Sequence, residues 1–343
     1  MNRQRFLDIA SAGLRMPIGT HLVLHEHADH ETVVLDGRRL GRVVEEAARR
    51  FRTPLAFPLM DLKLEKEALL LAQGVAPPLV EAFRFVEVPG RSPAFKLTPR
   101  MMAICAGINY IATQTNLLPV GIAIGPFSLM TQLIADPITP VFMAGAGSTA
   151  SEDDEVALVE RLLELSFQTI REYLAAQMDA GAEAIILCEP AANKVYFSPN
   201  QLAESYDVFE RYVMRFNLAL RDQLAANGVE LIFHNCGELL DGMVSRFALL
   251  DAAMMSLGSS RKLWEDAALL PRSTVLYGNL PTKQFYSDRV MSLEKVRELA
   301  AELSCRMRAT GHPFVLGSEC DVLSVPGSER TIQRKVSAFL DAN

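Results

Sequence analysis

The chain has 343 residues, of which half are hydrophobic and 22% charged, and its formal net charge is −7 with the basic residues scattered. A scattered, net-negative surface has no footprint for a nucleic-acid backbone. No stretch approaches the roughly eighteen apolar residues of a membrane span, so the balance is that of a globular protein with a large core.

Met1-Asn2-Arg3-Gln4-Arg5 is followed by no apolar signal core, and five cysteines are an odd set for a disulfide framework. A cytoplasmic protein with free or metal-ligating thiols is expected.

Taken in order, residues 1–52 read as a lead-in segment whose Leu40–Phe51 stretch has helical apolar spacing and a basic last turn. Residues 53–343 then alternate short apolar runs with longer helical patterns. The strand candidates are Pro54–Leu59, Phe83–Val88, Leu118–Ile124, Ala184–Cys188, Glu230–Phe233, Ala252–Ser256, Thr274–Tyr277 and Phe314–Leu316. Helices are expected over Glu152–Ala180, Pro199–Asn227, Leu293–Thr310 and Ser328–Asp341, with Ser151 as an N-cap and Gly181 and Gly228 as stops. Alternation of this kind predicts an α/β protein with a parallel sheet, and eight repeats favour a single (β/α)₈ TIM barrel. Catalytic groups in a barrel gather at the C-terminal ends of the strands.

Two segments fall there: Phe233-His234-Asn235-Cys236-Gly237 after the fifth strand candidate and Gly317-Ser318-Glu319-Cys320-Asp321 after the eighth. If the barrel closes, an imidazole and two thiols converge, a donor set that suits zinc with one position left open. Two thiolates and a neutral imidazole cancel the ion's charge, and a thiol bound there becomes a nucleophile toward an electrophilic methyl group. The opposing reading is three buried, inert side chains, since cysteine is often fully buried. Cys105, Cys188 and Cys305 lie within helical or strand patterns and read as packing thiols.

At these residues the chain resembles the uroporphyrinogen decarboxylase superfamily, in its methylcobamide:thiol methyltransferase branch of the coenzyme M type, from about Pro54 onward. The matching segments are Asp61-Leu62-Lys63-Leu64-Glu65-Lys66-Glu67-Ala68, Gly125-Pro126-Phe127-Ser128-Leu129 and Gly278-Asn279-Leu280. The resemblance implies zinc on His234, Cys236 and Cys320, a methylcobamide presented by a partner corrinoid protein, and a small-molecule methyl acceptor. The decarboxylase branch's Arg-Gln-Ala-Gly-Arg-Tyr motif is missing, and its Leu-Gly-His-Gly stands here as Leu316-Gly317-Ser318-Glu319. Metal-free decarboxylation of a tetrapyrrole or small carboxylate is therefore the alternative, and a barrel that only binds a corrinoid or tetrapyrrole is a third.

Further roles are assigned near the expected mouth. Asp61 orients substrate or caps a helix. Glu189 serves as a displaceable fourth ligand or proton acceptor. Asn279 makes a polar substrate contact, and Glu65 and Glu67 are solvated or paired carboxylates, Glu65 the candidate for substrate binding. His25-Glu26-His27 with His30 form a competing metal set if they alternate on a strand. Gly145–Thr149 lacks the lysine of a phosphate loop and reads as a lid. A homodimer through the outer helices is a further expectation.

Overall fold

The computed structural model describes residues 2–90 and 94–341. Eight strands form one parallel sheet: β1 (Arg15–Ile18), β2 (Leu55–Ala56), β3 (Leu118–Ile124), β4 (Ala184–Cys188), β5 (Glu230–Asn235), β6 (Met254–Leu257), β7 (Val275–Leu280) and β8 (Phe314–Asp321). Their order is β1-β8-β7-β6-β5-β4-β3-β2. The sheet curls until its edges face each other. Thr20, just past β1, donates a hydrogen bond to the carbonyl of Phe57, just past β2, and Met16, Ile18, Leu55 and Phe57 share one interior cluster. This is the expected (β/α)₈ architecture, with no β1–β2 ladder among the described residues.

Alternation along the strands fills the barrel. Leu118, Val120 and Ile122 of β3, Ala184, Ile186 and Cys188 of β4, and Ile232 of β5 point to the axis, while their neighbours meet the outer helices. Phe6 and Ile9, on the helix Asn2–Ser11, join the interior cluster and stopper the barrel at the end opposite the site.

Residues 1–52 are more than a helical lead-in, because they supply β1, which pairs with β8. Pro17 hid this strand: proline donates no ladder hydrogen bond, and the β1 register shifts between Met16 and Ile18. In the other direction, Phe83–Val88 is no strand. Phe83 and Phe85 pack edge to face at 5.0 Å and the Phe85 amide donates to the Leu133 carbonyl, but Val86 is 87% exposed and no strand among the described residues lies alongside.

The helix expectations hold where the apolar period is clean: Gly37–Arg50, Asp154–Asp179, Leu293–Thr310 and Glu329–Leu340. Asp153, rather than Ser151, caps the second of these, accepting from the Glu155 and Val156 amides. Pro199–Asn227 is not one helix but breaks at Ser205–Tyr206 and passes through a wider π turn at Glu210–Met214. Gly181 and Gly228 take the positive φ values, 102° and 70°, that end a helix.

Phe6→Ala tests the stopper. Removing a fully buried ring from the barrel floor should cost about 3–5 kcal/mol, read as a fall in the urea midpoint. A loss below about 1 kcal/mol would show that the first helix is dispensable.

Candidate metal centre at the barrel mouth

His234 lies on the same face of β5 as the axial Ile232, and Cys236 follows just past the strand end. The β8 end brings Cys320 to meet them. A ligand atom from each of the three lies within 4.8 Å of the others, and among the described residues this is the one such group.

The imidazole is oriented from behind. Register sets His234 opposite Ser256 of β6, and Nδ1 lies 2.9 Å from the serine hydroxyl. Its Nε2 is buried without a hydrogen-bond partner. A buried polar atom left unpaired is costly, so this orphaned nitrogen beside two sulfurs fits a metal ion.

The sulfurs are electrically unlike. The hydrogen bond from Cys320 pulls the Cys236 thiol well below its ordinary value; burial opposes this, and His234 and Lys283 reinforce it. Cys320 is pushed up by its bond to Cys236 and by burial. The pair thus favours one thiolate beside one thiol. Against the cost of burial, the two sulfurs and Glu319 hold the Lys283 ammonium above its usual value. Glu319 also accepts from the Ser259 amide and hydroxyl at 3.2 and 2.6 Å and from the Lys283 amide, tying β8 to the segments after β6 and β7. Ser256, Lys283 and Glu319 were not singled out in the sequence; their roles depend on strand register and loop packing, which no local motif announces.

The remaining expected residues are distributed around this centre. Glu189 does not join the group: its oxygens accept from the Phe127 amide (3.1 Å), the Ser128 amide (2.9 Å) and Asn217 Nδ2 (3.0 Å). It clasps the N-terminus of the helix Pro126–Thr131, and burial outweighs these bonds to raise its pKa. The clasp explains Gly125, where a Cβ would stand 2.1 Å from the Glu189 carboxyl carbon.

Asn279 donates to the carbonyls of Gly258 and Arg261 at 2.7 and 2.9 Å, pinning the segment after β6. Asp61 does not cap the helix Leu64–Ala72: Oδ1 accepts from the Lys63 amide at 3.2 Å, ahead of that helix, and Oδ2 pairs with Arg100 at 2.6 Å on a pocket wall. Asp321, next to Cys320, is pushed up to about 7 by burial, which the Met60 and Val322 amides only partly offset.

Glu65 is not solvated but buried. Oε1 accepts from the Ile124 amide at 3.1 Å, Oε2 has no partner, and burial pushes its pKa up to about 8. Cys188 and Cys105 are buried or half-buried thiols, pushed up mainly by burial, whereas Cys305 is exposed on its helix and does not pack in the core.

The histidines after β1 do not alternate on a strand: His30 opens the short helix His30–Val33, while His25 caps the end of Thr20–Leu24 and His27 lies in the turn between the two helices. His27 turns to Glu46, 3.4 Å away, while His21, unremarked in the sequence, packs against His25 and His25 against His30, each pair of rings tilted by about 40°. Gly145 ends the helix Ile138–Gly145, and Thr149 beyond it bonds to Glu152.

Fold and site together define a barrel enzyme with a candidate metal centre at its mouth. The uroporphyrinogen decarboxylase (URO-D) family pattern matches residues 75–338, and the chain belongs to that family. Among solved structures it is similar to a methyltransferase from Methanosarcina mazei, with a TM-score of 0.67 at 14% identity over 98% of this chain and 97% of that one. No curated protein matches. No helix among the described residues is long and apolar enough to cross a membrane.

Glu65 supports a pH test. Its folded pKa lies above its unfolded value, so its contribution is present below the usual carboxylate range and is lost as pH rises through about 8. Glu65→Gln should raise the urea midpoint relative to the parent at pH 9 and leave the two close at pH 4. Parallel curves for the two proteins across that range would show that Glu65 carries no such penalty.

Proposed function

We propose that this barrel is a zinc-dependent methyltransferase that moves a methyl group between a methylcobamide, carried by a separate corrinoid protein, and a thiol or related acceptor. The observation that carries this reading is the convergence of His234, Cys236 and Cys320 around a buried nitrogen with no other partner. Family membership and a shared fold with a protein titled a methyltransferase support it.

His234 Nε2 and the two sulfurs would hold the ion, and zinc bound there would supply a neutral Lewis-acid centre that lowers the pKa of an incoming thiol. Ser256 keeps the imidazole turned inward by accepting its Nδ1–H. Lys283 adds positive charge beside the sulfurs, where a thiolate acceptor must arrive. Glu319, Asn279 and Glu189 hold the strand ends in register, and Asp61 with Arg100 borders the space for substrate. In the transfer the acceptor sulfur forms a bond to the methyl carbon while the carbon–cobalt electron pair stays with cobalt.

A corrinoid on a carrier needs a broad apolar landing surface. Leu35, Val86, Phe142, Val195, Tyr286 and Leu323 are all exposed, and they come from the segments following β1, β2, β3, β4, β7 and β8. Apolar groups gathered on one rim in this way suit docking of a partner protein. The missing arginine motif and the cysteine at the end of β8 weigh against decarboxylation.

The purified chain should bind one zinc, lost in Cys236→Ala and in Cys320→Ala along with methyl transfer from methylcobalamin to a thiol. Ser256→Ala should retain the fold but weaken zinc by about 10–100-fold in competition with a chromophoric chelator. Full transfer by metal-free protein, or uroporphyrinogen turnover after chelation, would overturn the reading.

A further inference from the structure

At the end of the barrel opposite the metal group, a cavity of about 520 Å³ opens between the helix Asn2–Ser11 and the helix Leu293–Thr310. Helical spacing builds both walls: Leu7, Ala10 and Ser11 come from one face of the first helix, and Ser304, Met307 and Arg308 from one face of the other. The starts of β1 and β8, at Arg15 and Phe314, close it toward the barrel. The volume is that of a small-molecule site.

Charge in the lining is one-sided. Two guanidiniums, Arg15 and Arg308, enter it, and no carboxylate does. Arg308 makes no hydrogen bond or ion pair among the described residues. It sits in the last turn of its helix, but the carbonyls there are already served, because Arg272 donates to those of Thr310 and Gly311 at 3.2 and 2.7 Å. Arg15 donates from Nη1 to the Phe339 carbonyl at 2.9 Å, and its other nitrogens are left without a bond. Burial first and the Arg308 charge second pull Arg15 below its ordinary value, with Asp341 opposing them.

The remaining polar groups do not offset this excess. The Ser11 hydroxyl is spent on the Asp8 carbonyl at 2.9 Å. His312 is buried, and its Nε2 faces the Thr274 carbonyl at 2.9 Å; a carbonyl can only accept, so the ring donates there. Burial more than the Arg272 charge holds the His312 pKa below its ordinary value, so the ring is neutral. Leu7, Leu14 and Phe314, each only partly buried, give the cavity its apolar side.

We propose that this floor cavity is a second ligand site and that it takes a small carboxylate on an apolar body, the carboxylate between Arg15 and Arg308 and the body against Leu7, Leu14 and Phe314. A planar carboxylate matches the fork of a guanidinium, and it relieves a like-charge repulsion that a neutral ligand leaves in place. Such a ligand ties the first helix, whose Phe6 and Ile9 stopper the barrel, to the helix Leu293–Thr310, so binding also stabilises the fold. The cavity and the metal group lie at opposite ends of the barrel, and this proposal and the methyltransferase reading can fail separately.

The test is calorimetric titration of the full chain with hexanoate, hexan-1-ol and acetate, which separate the charge from the apolar body. Hexanoate should bind at least about tenfold more tightly than either of the others and should raise the urea midpoint. Arg308→Gln, and Ser304→Phe, which fills the cavity, should each weaken it by about tenfold or more. Arg100→Gln at the mouth and Arg334→Gln on the neighbouring helix should leave it unchanged. Arg308 is exposed and Ser304 only half-buried, and circular dichroism will verify that both variants fold. No hexanoate binding up to about 10 mM, equal binding of hexan-1-ol or acetate, affinity indifferent to Arg308→Gln, or an equal loss in Arg100→Gln or Arg334→Gln would overturn the proposal.

Discussion

One buried nitrogen with nothing to bond sets the terms for the rest of the molecule. His234 Nε2 is held in place through Ser256 on its far side and faces two sulfurs, one of which reaches it from the opposite end of the chain. An unpaired polar atom in a protein interior is tolerated where it serves a ligand. The parallel sheet makes this meeting possible, since every strand ends at the same face and residues remote in sequence arrive side by side.

Around that point the protein spends many polar groups on stiffness. Glu189, Glu319 and Asn279 all look like reactive mouth residues, yet each has hydrogen bonds committed to structure nearby: the start of the helix after β3 and Asn217, the turns after β6 and β7 with the Ser259 hydroxyl, and the segment closing over β6. Such bonds keep the ligand atoms within reach of one another without taking part in chemistry. The open space lies to one side, against β1, β2 and β8, where imidazoles and apolar side chains offer a surface quite unlike the sulfur-rich centre.

Much of this was legible from residues alone. Helices with a clean apolar period were read closely, and strands that run fully apolar, such as Leu118–Ile124 and Ala184–Cys188, were placed to the residue. Pro17 disguised β1, while Phe83 and Phe85 imitated a strand because two rings anchoring a loop leave the same alternation. His234 and Cys236 stood out by following a strand. Cys320 stood out in the same way, just after the eighth strand candidate, and the resemblance added weight to the set. The direction of the Glu189 side chain, the Ser256 support and Lys283 depend on register and loop packing. His21 was missed because the segment was read with a strand's period of two, whereas His21 and His25 meet as a helical i, i+4 pair.

X-ray absorption at the zinc edge of the loaded protein, with and without a thiol acceptor, addresses the central claim most directly. The account predicts a first shell of two sulfurs at about 2.3 Å and one nitrogen at about 2.0 Å, gaining a third sulfur when the thiol is added. A shell of oxygen and nitrogen alone, or one unchanged by the thiol, would contradict it.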